Sequence, residues 1–288
     1  MLYSEFAPAK INLTLEVLGR RPDGYHEIRS LVAFAQDVGD RITFTPGRVA
    51  GVETTGPFAG AIDGDNLVDK ASAEIQRVVA RLAAGRLILE KNLPVASGIG
   101  GGSTDAAAAL RVLIRVHGLE GKLDLAAIAR KLGADVPVCL AGRAALMTGV
   151  GEIIGAVAWP VGLFAVLANP LERVVKNKTA EVFARLGAPP VGDNINEEPL
   201  PEFASAYDVI SYSQGRANAL EGPARQLFPA LDKVLSTLSR LDNCRLARLS
   251  GAGPTCFALF DERDAALSGA AALARFEPDW WIRTTRLA

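Results

Sequence analysis

The stretch Pro94-Val95-Ala96-Ser97-Gly98-Ile99-Gly100-Gly101-Gly102-Ser103-Thr104 constrains this chain more than any other. It joins an apolar run, Leu87-Ile88-Leu89, to an alanine-rich segment from Ala106 to Val116. Glycines at 98, 100, 101 and 102 let the backbone adopt positive φ and approach a ligand with no Cβ in the way. Ser103, Thr104 or Asp105 can then cap a helix whose first N–H groups have no internal partner. Such N–H groups at the positive end of a helix make a phosphate site. The plainer reading is a glycine-rich surface turn ahead of a helix. Glycines, capping groups and a strong helix former in that order favour a phosphate loop.

Two common phosphate motifs do not fit. A Walker A loop ends in Gly-Lys-Ser/Thr, and no lysine lies between Gly98 and Thr104. A dinucleotide fingerprint starting at Gly98 requires glycine where Ser103 stands. It also follows its strand directly, whereas Lys91 to Ser97 intervene here.

Composition narrows the setting. A chain of 288 residues, 49% of them apolar, has enough material for one large domain or two ordinary ones with a substantial core. A net charge of -1 without a basic run excludes a nucleic-acid footprint, so any phosphate site depends on local dipoles and a few cations. Cys139, Cys244 and Cys256 are far apart and form no CxxC, and no signal peptide is read, which predicts a reducing, cytoplasmic setting. His26 and His117 lie at no metal-ligand spacing from a cysteine, so a dedicated zinc site is not expected. No apolar run approaches the ~20 residues that span a bilayer.

Along the chain, apolar and polar residues alternate from Ile11 to Val17, the pattern of a half-buried strand. Arg20 to Gly24 is turn chemistry, and Glu27 to Gln36 and Arg41 to Thr45 continue an antiparallel meander. Asp63 to Asn66 reads as a loop before a helix over Leu67–Ala83. The glycine stretch opens a helix ending at Gly118, and Asp124 caps a short one over Leu125–Leu132. Ala144 to Met147 and Leu163 to Leu167 read as strands, with a crossing between halves around Gly155 to Pro160. Thr179 to Leu186 and Leu227 to Leu241 read as helices, and Gly187 to Pro201 as a loop. Leu246 to Leu249 and Cys256 to Phe260 form a strand pair, followed by a helix over Asp261–Phe276 and a last strand over Trp280–Thr285. Strands and helices interleave without a βαβ rhythm, so the class is α+β in two lobes, 1–155 and 156–288.

Three segments together carry a resemblance. The central glycine motif, the N-terminal Ala7-Pro8-Ala9-Lys10-Ile11-Asn12-Leu13 and the C-terminal Leu249-Ser250-Gly251-Ala252-Gly253-Pro254-Thr255-Cys256-Phe257 resemble the signatures of the GHMP kinases. Arg21-Pro22-Asp23-Gly24-Tyr25-His26 and Gly133-Ala134-Asp135-Val136-Pro137 are similar to the branch acting on CDP-methylerythritol, in the non-mevalonate route to isoprenoid precursors.

The resemblance implies a ribosomal-S5-like N-terminal lobe, a ferredoxin-like C-terminal lobe and phosphoryl transfer from ATP with Mg2+. Lys10 and Asp135 would be catalytic, although each alone reads as a solvated charge. Residues 94–104, Lys91 and Asn66 would hold ATP, although Lys91 and Asn66 could equally be solvent-exposed. Tyr25 would stack on cytosine, His26 would bond its edge, and Phe183 would cover the ring's other side or simply pack in the core. Asn12, Thr179, Gly251 and Gly253 would contact substrate, and Ser103, with Glu152 as a second candidate, the metal. Ile99 stands for the more usual leucine and Thr104 for serine. Lys176-Asn177-Lys178 occupies what is commonly a short uncharged stretch in relatives. Two other readings stay open: a GHMP kinase for homoserine or mevalonate, and a non-catalytic nucleotide or sugar sensor. A pure sensor has no need of Lys10 and Asp135.

Overall fold

The computed structural model describes residues 3–62, 64, 66–79, 84–160, 162–192 and 199–288. Strands β1 (Tyr3–Asn12), β2 (Glu16–Arg20), β3 (His26–Pro46) and β4 (Gly51–Thr55) come first, then α1 (Leu67–Val78) and β5 (Gly85–Glu90). Helices α2 (Gly101–His117), α3 (Leu125–Leu132) and α4 (Val136–Ala141) precede β6 (Ala145–Gly149), β7 (Ile153–Ala156) and β8 (Phe164–Asn169). Helices α5 (Lys178–Leu186), α6 (Ala206–Gln214), α7 (Glu221–Leu227) and α8 (Ala230–Ser239) follow. β9 (Leu246–Leu249), β10 (Cys256–Phe260), α9 (Arg263–Phe276) and β11 (Trp281–Arg286) complete the mixed α+β fold with its two sheets.

The chain divides into two compact units. One takes residues 1–9, 39–95 and 100–142, the other 10–38, 96–99 and 143–288. These units differ from a single cut after residue 155 because the chain passes between them inside β1 and inside β3.

In the first unit, β5 lies between β4, parallel to it, and residues 41–46 of β3, antiparallel to it. Helix α2 is buried over most of its length, and its alanines leave room for α1 and α4 to pack closely. It stops at Gly118 (φ 59°), whose N–H returns to the carbonyls of Ile114 and Arg115. The deepest feature is charged. Lys91, just past β5 and 3% exposed, donates through Nζ to Asp105 of α2 at 2.7 Å and to Asp40 of β3. The other oxygen of Asp40 accepts the N–H groups of Asn92 at 2.5 Å and Leu93 at 2.8 Å. One ammonium therefore ties β3, the exit of β5 and the second turn of α2.

In the second unit, residues 28–32 of β3 pair with β6, and β2 and β7 extend the same antiparallel set. A separate antiparallel sheet runs β11-β8-β10-β9. Helices α8 and α9 pack on this sheet, so Val166, Ala168, Ala258 and Phe260 share a core with Leu231, Val234, Leu238 and Leu273.

Several expectations need correction. No single strand runs from Ile11 to Val17: β1 ends at Asn12, β2 begins at Glu16, and both faces are buried between them. The polar positions turn inward because partners await them. Asn12 donates to Ser30 Oγ at 2.8 Å, Ser30 Oγ donates to the Thr14 carbonyl at 2.5 Å, and the Leu31 N–H donates to Thr14 Oγ1 at 3.0 Å. Ser103, Thr104 and Asp105 do not cap α2. They lie inside its opening turns, Gly100 (φ 66°) is the N-cap, and the Thr104 hydroxyl folds back onto the Gly101 carbonyl at 2.9 Å. The helix expected over Leu227–Leu241 is the shorter α8, which Pro229, unable to donate an N–H within a helix, starts as its N-cap, and α7 just before it was not foreseen. Helix α6 was not foreseen, although Ser205 and Asp208 form a capping box at its start. Strand β7 occupies the start of the expected crossing, and β4 was also missed. The end of the helix expected to reach Ala83 falls on residues 80–83, outside the described residues, as do 63, 65 and 193–198 of the expected loops.

The buried cluster generates two expected outcomes. Lys91→Met strands two buried carboxylates and should cost about 3–5 kcal/mol in urea unfolding. Asp105 behaves differently. Burial first, then Asp40, pushes its carboxyl up to about 8 against the pull of Lys91, and its Oδ1 has no hydrogen-bond partner among the described residues. The folded state then holds more protons than the unfolded state between the ordinary carboxyl value and about 8, so Asp105's stabilising contribution falls as pH rises through that window. Asp105→Asn lacks this contribution, so its stability relative to the parent chain should climb between about pH 5 and pH 8. A difference that stays flat across that range refutes the assignment.

Candidate functional site

Three consecutive carbonyls in the second unit gather the three signature segments. The Ser97 carbonyl accepts the Thr255 N–H at 2.9 Å, and the Ile99 carbonyl accepts the Lys10 N–H at 2.9 Å. Between them, the Gly98 carbonyl accepts the Ser250 hydroxyl at 3.0 Å, while Ser250 Oγ accepts the Asn12 N–H at 3.2 Å. This proximity explains the glycines. A Cβ on Gly98 (φ +83°) would lie 2.5 Å from the Ser250 carbonyl, and one on Gly251 would lie 2.8 Å from the Gly98 carbonyl. Asn218 fixes the turn from behind, donating to the carbonyls of Leu249 at 2.9 Å and Gly251 at 2.8 Å. Lys10, Asn12, Ser97, Gly98, Ile99, Gly251 and Gly253 are thus brought together, with Lys10 only 2% exposed.

The first unit holds the rest of the glycine motif. Helix α2 begins at Gly101 without a side-chain cap, so the N–H groups of Gly101, Gly102 and Ser103 have no acceptor within the helix. Their direction and the helix dipole suit an anion. Pro94 and Val95 follow Leu93, whose N–H is held by Asp40, and Gly101 leaves room for the Lys91 ammonium, 3.0 Å from where its Cβ would be. Lys91 is therefore buried among carboxylates instead of solvated. Asn66 is the N-cap of α1, its Oδ1 accepting the Val68 N–H at 2.9 Å. Asp135, half-buried, stands immediately before α4. Its carbonyl accepts the Cys139 N–H at 3.2 Å, and its side chain does not cap the helix.

An aromatic pair lies on the second unit. The rings of His26 and Phe183 stack directly, centroids 4.6 Å apart and planes 27° from parallel. Burial, and secondarily Arg20, holds His26 below its ordinary pKa, which keeps the imidazole neutral with one donor and one acceptor. Phe183 also packs against the unit's core, as the plainer of its two readings expected. Tyr25 is 62% exposed beside this pair, its N–H held by Asp23 at 3.0 Å. Thr179 is exposed near the start of α5.

Among the described residues, no three His, Cys, Asp or Glu side chains assemble a metal cluster. Mg2+ keeps several waters and binds through one or two protein groups plus phosphates, so a single ligand such as Ser103, third residue of α2, fits its chemistry. Glu152 is a poorer fit, because its carboxylate accepts the Val150 N–H at 2.7 Å within its own turn. No described helix is long and apolar enough to cross a membrane.

Four residues escaped the sequence reading. Ser250 and Asn218 position the C-terminal turn, and Asp40 anchors the chain entering the glycine motif. Asp40 lies in the polar run Gln36-Asp37-Val38-Gly39-Asp40-Arg41, so no local signal marks it. The fourth, Lys178, is buried at the start of α5.

Comparison with known proteins agrees with this geometry. Residues 66–143 match the GHMP kinases N terminal domain family, and residues 201–279 match GHMP kinases C terminal. The chain is 47% identical over 291 residues to the 4-diphosphocytidyl-2-C-methyl-D-erythritol kinase of Methylorubrum extorquens, covering 98% of each. It is 48% identical over 295 residues to the enzyme of that name from Methylobacterium radiotolerans, covering 99% of each. A crystal structure of 4-(cytidine 5'-diphospho)-2C-methyl-D-erythritol kinase superposes with a TM-score of 0.75 at 33% identity and 99% coverage of both chains. Homoserine kinase from Cytophaga hutchinsonii, at 16% identity and TM-score 0.72 over 99% of this chain and 94% of that one, shares the fold. Since these likenesses run through the segments that bring Lys10, Gly98 and Ser250 together, the chain belongs to the 4-diphosphocytidyl-2-C-methyl-D-erythritol kinase family of the GHMP kinases.

Proposed function

We propose that this chain transfers the γ-phosphoryl group of ATP to the 2-hydroxyl of 4-diphosphocytidyl-2-C-methyl-D-erythritol, in the non-mevalonate route to isoprenoid precursors. Near-full-length likeness to kinases of that name carries the reading. The substrate's 2-hydroxyl oxygen forms a bond to the γ-phosphorus. The bond from that phosphorus to the β–γ bridging oxygen breaks, ADP departs, and the hydroxyl proton passes to the Asp135 carboxylate. Lys10 orients the hydroxyl and offsets negative charge. Phosphoryl transfer is loose, so Asp135 serves chiefly to orient the nucleophile.

Residues 94–104 cradle the ATP phosphates with backbone N–H groups, an electrostatic contribution in a largely dehydrated cleft. Lys91 acts on the ATP side by fixing the chain that enters this motif, and Asn66 by starting α1. Mg2+, when bound with Ser103 as its protein ligand, offsets phosphate charge. His26 and Phe183, with Tyr25 beside them, receive cytosine; Asn12, Thr179, Gly251 and Gly253 line the remainder of the substrate. Functionally, 1–155 is the ATP-binding domain and 156–288 the C-terminal domain, working in the cytoplasm on a small molecule.

ADP release measured with Mg-ATP and each candidate alcohol decides the substrate. Rapid turnover is expected for the cytidyl compound; turnover of mevalonate or homoserine without it sinks the assignment, and ligand binding with no turnover favours a sensor. Asp135→Asn should lower kcat by about 10²–10⁴-fold with little change in KM. Parental turnover in that variant removes Asp135 from the mechanism. Gly98→Ala puts a Cβ 2.5 Å from the Ser250 carbonyl at a φ of +83°, so it should lower both the melting temperature and kcat/KM for ATP. The expected loss of stability is about 1–3 kcal/mol. An alanine variant with parental stability and kinetics contradicts the close approach.

A further inference from the structure

Lys178 opens α5 with a charge that no carboxylate among the described residues neutralises. Its side chain is buried, 5% exposed, and its ammonium donates to the Gly253 carbonyl. Among the described residues it has no carboxylate partner, and burial alone pulls its pKa down to about 8. Lys91 is equally buried but lies between two carboxylates. A buried cation lacking a counter-ion is costly, and one carbonyl uses one of its three N–H donors.

Its surroundings suggest which anion arrives. Gly251 and Gly253 carry no side chains, and Gly253 supplies the carbonyl that meets the ammonium. The same helix carries Phe183, whose ring stacks on His26. Five residues of α-helix rise about 7.5 Å, which separates an aromatic station from a cationic one along α5. A nucleoside diphosphate has that layout, with an aromatic base at one end, a ribose between and an anionic diphosphate beyond.

We propose that Lys178 is a substrate-binding residue that receives the diphosphate of the CDP-linked substrate, its ammonium shared between a phosphate oxygen and the Gly253 carbonyl. The assignment rests on the cytidine reading of His26 and Phe183 given above. It makes Lys178 a specificity determinant that separates a cytidine diphosphate from a neutral nucleoside.

Calorimetric titration of the full chain with CDP and with cytidine, without ATP, tests this. The parent chain should bind CDP at least about tenfold more tightly than cytidine, the scale of one charge-assisted hydrogen bond. Lys178→Gln keeps a donor for the Gly253 carbonyl and loses the charge, whereas Lys178→Met loses both. Both variants should bind cytidine as the parent does and lose the preference for CDP, with folding checked by thermal melting. If Lys178→Gln retains the preference, or if either variant loses both ligands equally, Lys178 is only a strut beneath the turn and the proposal falls. A parent chain that binds cytidine without preferring CDP also overturns it. A parent chain that binds neither overturns the cytidine reading on which it rests.

Discussion

The carbonyls of Ser97, Gly98 and Ile99 accept from donors more than a hundred residues away on one side and near the N-terminus on the other. Each such bond contributes about 0.5–1.5 kcal/mol net, yet leaving any of these buried groups unpaired would cost more. The pairing therefore dictates geometry more than it adds stability. The register of β9 against β10, with Leu249 opposite Cys256, fixes where Ser250 and Thr255 stand. Their positions in turn hold residues 97 and 98. With backbone packed on backbone, no Cβ can be admitted at 98 or 251, and glycine is the remaining choice. The core beneath β10 thus reaches the glycine motif through hydrogen bonds and not through side-chain packing.

Two of the deeply buried lysines, Lys91 and Lys178, show how differently the fold treats a cation. Lys91 is balanced by Asp40 and Asp105, and Asp40 also holds two backbone N–H groups. That cluster needs no ligand to balance its ammonium, and burial first, with the second carboxylate, Asp40, gives Asp105 its affinity for a proton. Among the described residues, Lys178 has only a carbonyl. In the first case the charge is spent on structure; in the second it remains available to whatever anion the unit receives. Burial alone does not separate these roles, but the count of neighbouring carboxylates does.

What was legible in the sequence follows from how local the physics is. The glycines, the Asp124 cap, the Gly118 stop and the buried run that became β8 report their own surroundings, so they were readable one segment at a time. The strand expected from Ile11 to Val17 failed because alternation assumes that polar residues face water, whereas Asn12 and Thr14 face Ser30 and Leu31. Ser103, Thr104 and Asp105 were expected to cap α2 because their side chains suit that task, but a left-handed Gly100 starts the helix earlier. Asp40, Ser250, Asn218 and Lys178 act through partners distant in sequence, and no local pattern encodes such pairs. The motifs quoted for the GHMP resemblance carried the functional reading where periodicity could not.

Phosphoryl transfer asks little covalent chemistry of a protein, so positioning the phosphates and selecting the acceptor can be separate tasks. In the second unit the arrangement around Gly98 and the His26–Phe183 stack are built from different segments. The backbone arrangement around Gly98 uses no side chain that could distinguish one alcohol from another. Discrimination must come from elsewhere, and the His26–Phe183 pair is suited to it. Burial and Arg20 keep the imidazole neutral, so it offers a donor and an acceptor to a base edge that itself presents both, as cytosine does. An imidazolium would offer two donors and meet the exocyclic amine of that edge badly. Aromatic overlap alone would accept any base, and a hydrogen-bonding edge alone would bind weakly in water. Rejecting an analogue without the matching polar edge depends on leaving buried polar groups unpaired, which gives sharper selection than apolar contact alone can provide.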